Sequence, residues 1–140
     1  KKLATLAIEE TEQYELCLFL GVLYHLENPM LALRNVSRAT KELCIIETQV
    51  VDEVEGRAEW GAREWTRPYG GILAIIDESG EFYNDNREAG ATPLALCPSL
   101  SALENMLKHA GFRRTEIILP APHAYEQHAR AKRVVCAAYK

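Results

Sequence analysis

Apolar residues in this chain come in short runs separated by polar stretches, and the spacing within the runs alternates between two kinds. Residues 16–20, Leu-Cys-Leu-Phe-Leu, are apolar without a break and stop at Gly21. A run this short and continuous reads as a strand with both faces covered, as in a parallel sheet flanked by helices. Asn28 and Pro29 then carry the chemistry of a helix start, because the amide caps and proline is preset for the first helical position. Met30, Leu33, Val36 and Thr40 follow at helical spacing, with Arg34, Asn35, Arg38 and Lys41 off that stripe. Residues 43–46 are a second apolar run, ending at Glu47 and Thr48. Strand, helix and strand with short connections predict a right-handed βαβ unit.

The rest of the chain reads less evenly. Residues 3–8 are a short apolar stretch, a strand or the end of one. Residues 50–93 are polar, rich in Glu and Arg, and hold Trp60 and Trp65. Within them, residues 71–76 and 81–83 flank Asp77, Glu78, Ser79 and Gly80, which predicts a hairpin with glycine at the position of positive φ. Ser99 or Ser101 then caps a helix that carries Leu103, Met106, Leu107 and Ala110 on one face. Glu104 stands at capping-box distance from Ser101, and Gly111 closes the helix. Residues 115–119 form a strand that Pro120 and Pro122 break, and residues 134–139 form the last strand. The expected fold is α/β, a mixed sheet with parallel strands, flanking helices and a C-terminal antiparallel pair.

Length and composition narrow this picture. The chain has 140 residues, 48% of them hydrophobic and 26% charged, so one globular domain over 1–140 is expected. No apolar run approaches the roughly 20 residues of a membrane helix, and no signal-peptide pattern opens the chain. The net charge of −4 gives no overall electrostatic footprint for nucleic acid. Cys17, Cys44, Cys97 and Cys136 lack metal-ligand spacing, and three of them sit in apolar runs. That reads as reduced thiols in a cytoplasmic protein, with no metal site.

Ligands of open α/β sheets sit beyond the carboxyl ends of the parallel strands. Two such ends are visible. After the first strand come Gly21, which lets a ligand approach the backbone, and then Tyr24 and His25, a phenol and an imidazole. After the second comes Glu47. These are the candidate reactive groups, against the plainer reading of a structural Tyr-His pair and a solvated carboxylate.

With these residues in place, the run LFLGVLYHLENPMLALRNVSRATKELCIIET resembles the later half of class I S-adenosylmethionine-dependent methyltransferases. It is closest to the group of tRNA wobble-uridine (carboxy)methoxy transferases and their relatives. PSLSALENMLKHAGFRR is similar to that family's late helix, AKRVVCAAYK to its last strand, and LATLAIEE to the end of its third. The resemblance implies a partial Rossmann-like methyltransferase fold, with residues 50–93 as an insert or lid. It implies S-adenosyl-L-methionine as cofactor, held by Ile8, Glu9, Leu20, Gly21, Tyr24 and Arg133, with Tyr24, His25 and Glu47 as catalytic groups. In a lid, the alternation of Arg57, Trp60, Arg63, Trp65, Arg67 and Tyr69 would stack on a base or hold a phosphate. The plainer reading is a loop pinned by its own tryptophans, its arginines offset by Glu55, Glu59 and Glu64. His123, His128 and Arg130 read as solvated loop residues.

The family's Gly-rich turn and the acid that holds the ribose do not occur in this sequence. The isolated chain is therefore expected to bind the cofactor weakly or not at all. A non-catalytic oligomeric module on the same fold is the alternative function. The strand at residues 16–20 would lack a neighbour on one side, so a homodimer or a separate N-terminal half is expected as partner. The acceptor is a small molecule or RNA, and no membrane partner is expected.

Overall fold

The computed structural model describes residues 13–59, 61, 66–79 and 93–140. Strand β1 (Tyr14–Leu20) leads through a single 3-10 turn (Leu23–His25) into helix α1 (Pro29–Ala39), and β2 (Thr40–Gln49) follows without a loop. β1 and β2 are parallel, with Leu20 opposite Glu47. Two short ribbons come next: β3 (Arg57–Ala58) pairs with β4 (Arg67–Pro68), and β5 (Leu73–Asp77) pairs with β6 (Leu94–Pro98). Helix α2 (Leu100–Ala110), β7 (Arg114–Ile118), the one-turn α3 (Glu126–Ala129) and β8 (Arg133–Tyr139) complete the order. The main sheet runs β1–β2–β8–β7, and β8 is antiparallel to both its neighbours. This is the mixed α/β sheet read from the sequence, with its parallel strands and its C-terminal antiparallel pair.

Both long helices start and stop where their residue types dictate. The Asn28 side chain accepts from Leu31 N at 3.1 Å, and Pro29 opens α1. Ser99, not Ser101, caps α2 by accepting from Ala102 N, and Gly111 ends it in the left-handed conformation at φ +107°. Leu33 and Val36 of α1 and Leu103 and Leu107 of α2 are buried with Phe19, Cys44, Ile46, Phe112, Val134, Cys136 and Ala138. All four cysteines are free. Burial pushes Cys44 up to about 12 and Cys136 up to about 11, so both thiols stay protonated and unreactive at neutral pH.

The register fixes which side chains share a face. Phe19, Ile46 and Cys136 lie in line across three strands and face α1 and α2. Leu20, Glu47 and Val135 lie in line on the opposite face. That second face is the chief departure from the expected layering. Leu16, Leu18 and Leu20 are 53%, 63% and 49% exposed, while further across that face the one-turn α3 reaches Glu47 and Cys97 of β6 reaches Gln49. β1 also pairs with β2 alone among the described residues. A continuous apolar run states that a strand can be covered on both faces; it does not supply the cover.

The insert is tied to the residues that lead into α2. Near its start Val51 N donates to Pro98 O at 3.0 Å, and midway Ile72 O accepts from Ser99 N at 2.9 Å. Asn105 Nδ2 donates to Gly70 O at 2.7 Å. Leu73–Asp77 pairs with Leu94–Pro98, a partner that the hairpin reading did not name. Residues 81–83 and Gly80 lie outside the described residues, as do Trp60, Arg63 and Trp65.

Ser101, released from capping, holds Glu53 instead. Its N–H and hydroxyl donate to the two carboxylate oxygens at 2.7 and 2.6 Å. These bonds, the hydroxyl's first, hold the Glu53 carboxyl below its ordinary range. A carboxyl lowered in the folded state stabilises above its unfolded pKa and loses that contribution as pH falls through the folded pKa. Glu53→Gln is therefore expected to lower the thermal midpoint at pH 7, with the gap to wild type closing as the pH of the melts is taken below that of ordinary glutamate.

Candidate functional site

The carboxyl end of β1 breaks at Gly21, whose φ of +67° suits glycine. A Cβ built there would stand 3.4 Å from Glu47 Oε2 and 4.0 Å from Arg133 Nη1. Gly21 N donates to Glu47 O at 3.0 Å, which locks the end of β1 against β2. The 3-10 turn that follows buries the Tyr24 ring against Ala95, Cys97 and Val51, so the β5–β6 ribbon roofs the tyrosine.

Arg133, the first residue of β8, joins these pieces. Its Nη1 donates to Glu47 Oε1 at 2.7 Å, its Nη2 to the Tyr24 hydroxyl at 2.9 Å, and its Nε to Gln127 Oε1 at 3.0 Å. The guanidinium carbon lies 5.3 Å from the centre of the Tyr24 ring. The arginine side chain is 18% exposed and the glutamate 14%. Burial draws the guanidinium's pKa down, but the bonds to Glu47 and Tyr24 outweigh it and leave the group above its ordinary value. Arg133 is a permanent cation with three of its five N–H groups in use. Because it donates to the Tyr24 oxygen, that hydroxyl's own proton is free to be donated elsewhere.

The His25 ring packs against Tyr24 at a tilt of 45°, ring centres 4.1 Å apart. Leu20 is half-exposed beside Glu47 on the uncovered face. Five of the residues picked out of the sequence, Gly21, Tyr24, His25, Glu47 and Arg133, thus meet at one edge of the sheet, with Leu20 next to them. Ile8 and Glu9 lie outside the described residues.

Two further members of the cluster were not among the sequence candidates. Gln127 fixes the plane of the guanidinium. His128, expected in solvent, has Nε2 3.9 Å from Glu47 Oε1 and a side chain 23% exposed. Their signal was weak: a polar stretch a few residues ahead of Arg133, which a single turn of helix folds back over it. Arg130 and His123 do face solvent, Arg130 paired with Glu126 at 3.1 Å. Among the described residues no group of His, Cys, Asp and Glu has the layout of a metal site, and no helix is long and apolar enough to cross a membrane. A cavity of about 260 Å³ along α2 and β7, lined by Asn105, Lys108 and Arg113 among others, shares no residue with the cluster.

No family model matches the chain, and no curated protein does. Solved structures do. The chain aligns over 99% of its length with the N-terminal domain of EvdMO1, solved in the presence of SAH and D-fucose, at a TM-score of 0.67 and 17% identity. It aligns over all of its length with an S-adenosylmethionine-dependent methyltransferase from Mesorhizobium loti, at 0.57 and 14%. It aligns over 99% with the glycopeptide N-methyltransferase MtfA complexed with SAH, at 0.51 and 10%. The chain spans 52%, 67% and 58% of those three chains, respectively. The fold is that of class I S-adenosylmethionine-dependent methyltransferases. Identities this low show the fold alone, so the chemistry has to be argued from the cluster.

Proposed function

We propose that this chain is part of an S-adenosylmethionine-dependent methyltransferase and carries the end of the site where the methyl group is transferred. The observation that carries the reading is the Tyr24–Arg133–Glu47 network at the carboxyl edge of the parallel strands, beside Gly21. The described residues suit the methionine half of the cofactor. Leu20 offers an apolar surface for an alkyl chain, Gly21 an open backbone, and the Glu47–Arg133 pair both signs of charge for an amino-acid end. Ile8 and Glu9 are the proposed adenosine contacts. The cofactor, when bound, supplies a methyl group already activated on a sulfonium.

The chain's own residues then have little covalent work to do. Glu47 and Gln127 hold the guanidinium, the guanidinium holds the Tyr24 oxygen, and the Tyr24 hydroxyl donates toward whatever occupies the edge. Catalysis of this kind is positioning. His25 is proposed to line the acceptor's approach. Leu26 and Glu27 follow His25 where the wobble-uridine enzymes carry a basic pair, so small molecules come before tRNA in an acceptor panel. D-fucose, a phenol and a primary amine are suitable first members.

The bare face of β1 favours a second reading, a non-catalytic module that associates through that face as a homodimer or with a separate N-terminal half. Calorimetric titration with S-adenosylhomocysteine separates the two. Binding is expected to be weak, and about ten-fold weaker for Tyr24→Phe, the worth of one hydrogen bond. No heat at about 1 mM ligand, from a chain that sediments as a stable dimer, would replace the first reading with the second.

A further inference from the structure

A transfer to oxygen or nitrogen releases a proton, and the groups named so far do not take it well. The Tyr24 oxygen is already an acceptor for Arg133. The charge of Glu47 is countered by Arg133 at 2.7 Å. His25 lies against Tyr24, its ring tilted by 45°, and, among the described residues, has no carboxylate within ion-pair distance.

His128 is placed differently. It projects from α3, which Gln127 ties to Arg133 Nε at 3.0 Å, and its backbone N donates to Tyr125 O at 2.9 Å. Its Nε2 faces Glu47 Oε1 at 3.9 Å, and about a quarter of the side chain reaches solvent. The charged groups around it are accounted for: Glu126 pairs with Arg130 away from the site, Lys132 pairs with Asp52 at 2.5 Å, and Arg133 is committed to Glu47. The 3.9 Å between Nε2 and Glu47 Oε1 is longer than a hydrogen bond; once closed to one, a carboxylate on one ring nitrogen holds that nitrogen's proton in place and leaves the lone pair of the other free. Contacts of this kind tighten from their unliganded lengths when a ligand is bound.

Resting on the transfer reading above, we propose that His128 is the proton acceptor of the reaction and Glu47 the carboxylate that orients it. An acceptor hydroxyl or amine uses a lone pair to form its bond to the methyl carbon. The bond from that carbon to sulfur breaks with its electron pair going to sulfur, and the sulfonium charge is lost. The proton released by the acceptor goes to Nδ1 of His128 and from there to water. The acceptor class is therefore an O–H or N–H group that must lose a proton as it is alkylated.

The first test needs no acceptor. Diethyl pyrocarbonate acylates imidazole lone pairs, and peptide mass spectrometry reports each histidine separately. His128 is expected to react in the free chain and to be protected at least about five-fold by saturating S-adenosylhomocysteine, while His123 and His109 are unchanged. In the second arm, His128→Ala is expected to bind S-adenosylhomocysteine within about three-fold of wild type. Its transfer to the best acceptor of the panel should fall about 100-fold, the usual scale for a lost general base, and added imidazole should restore part of that loss. Binding of S-adenosylhomocysteine without protection of His128 would overturn this inference and leave the transferase reading standing, as would His128→Ala turning over at the wild-type rate. No binding at all by the wild-type chain would overturn both.

Discussion

Arg133→Ala is expected to destabilise the fold by about 2–3 kcal/mol and to abolish measurable binding of S-adenosylhomocysteine. The substitution strands three groups at once. Glu47 keeps a carboxylate that is only 14% exposed and has lost its hydrogen-bonded cation, and breaking one partner of a buried pair costs about 3–5 kcal/mol in fully buried cases. Some solvent reaches the edge, which sets the figure below that range. The Tyr24 hydroxyl and the Gln127 carbonyl lose their donor as well. Arg133→Lys keeps the charge but cannot span the three acceptors, so it should fall between wild type and alanine. Adding Glu47→Gln to Arg133→Ala removes the stranded charge and should recover part of the stability without recovering binding. Urea unfolding of the four proteins gives the stabilities, and calorimetry gives the binding.

Gly71→Ala is expected to cost about 3 kcal/mol or more, for a reason of geometry alone. Gly71 has φ +105°, and a Cβ there would lie 2.2 Å from Ala102 N and 2.6 Å from Ala102 Cα. Those are backbone atoms in the first turn of α2 and have no rotamer by which to yield. Gly61→Ala is the internal control. Its φ is +88°, with open space where the Cβ would go, so only the backbone strain of about 1 kcal/mol applies. If the two variants melt at the same temperature, the insert does not rest on α2 as described.

Much of this was legible in the chain, and the reasons are local. Asn28, Pro29, Ser99 and Gly111 state where helices begin and end because capping is decided within four residues. The strands at residues 16–20 and 43–46 announce themselves by unbroken apolarity. Glycine after a strand, with Tyr-His beyond it, pointed to one side of the candidate site, and the strand end at Glu47 to the other. Arg133 joined them only through a family resemblance, and its actual task is a three-way hydrogen bond to Tyr24, Glu47 and Gln127. What was not legible depends on distant parts of the chain. β6 lies between Pro93 and Ser99, too short and too proline-flanked to stand out, and its partner β5 is separated from it by 16 residues of sequence. His128 gives no pattern at all until α3 folds it back over Glu47. Continuous apolarity at residues 16–20 was equally silent about which faces meet a helix.

That last point has a practical consequence. With Leu16, Leu18 and Leu20 open to water, the folded chain offers hydrophobic dyes a binding surface before any heating begins. An anilinonaphthalene sulfonate signal from this protein will start bright, and a dye-based melting curve will report the loss of that surface mixed with the exposure of the core. Circular dichroism or tyrosine fluorescence, which read the chain itself, are the measurements on which its stability should be judged.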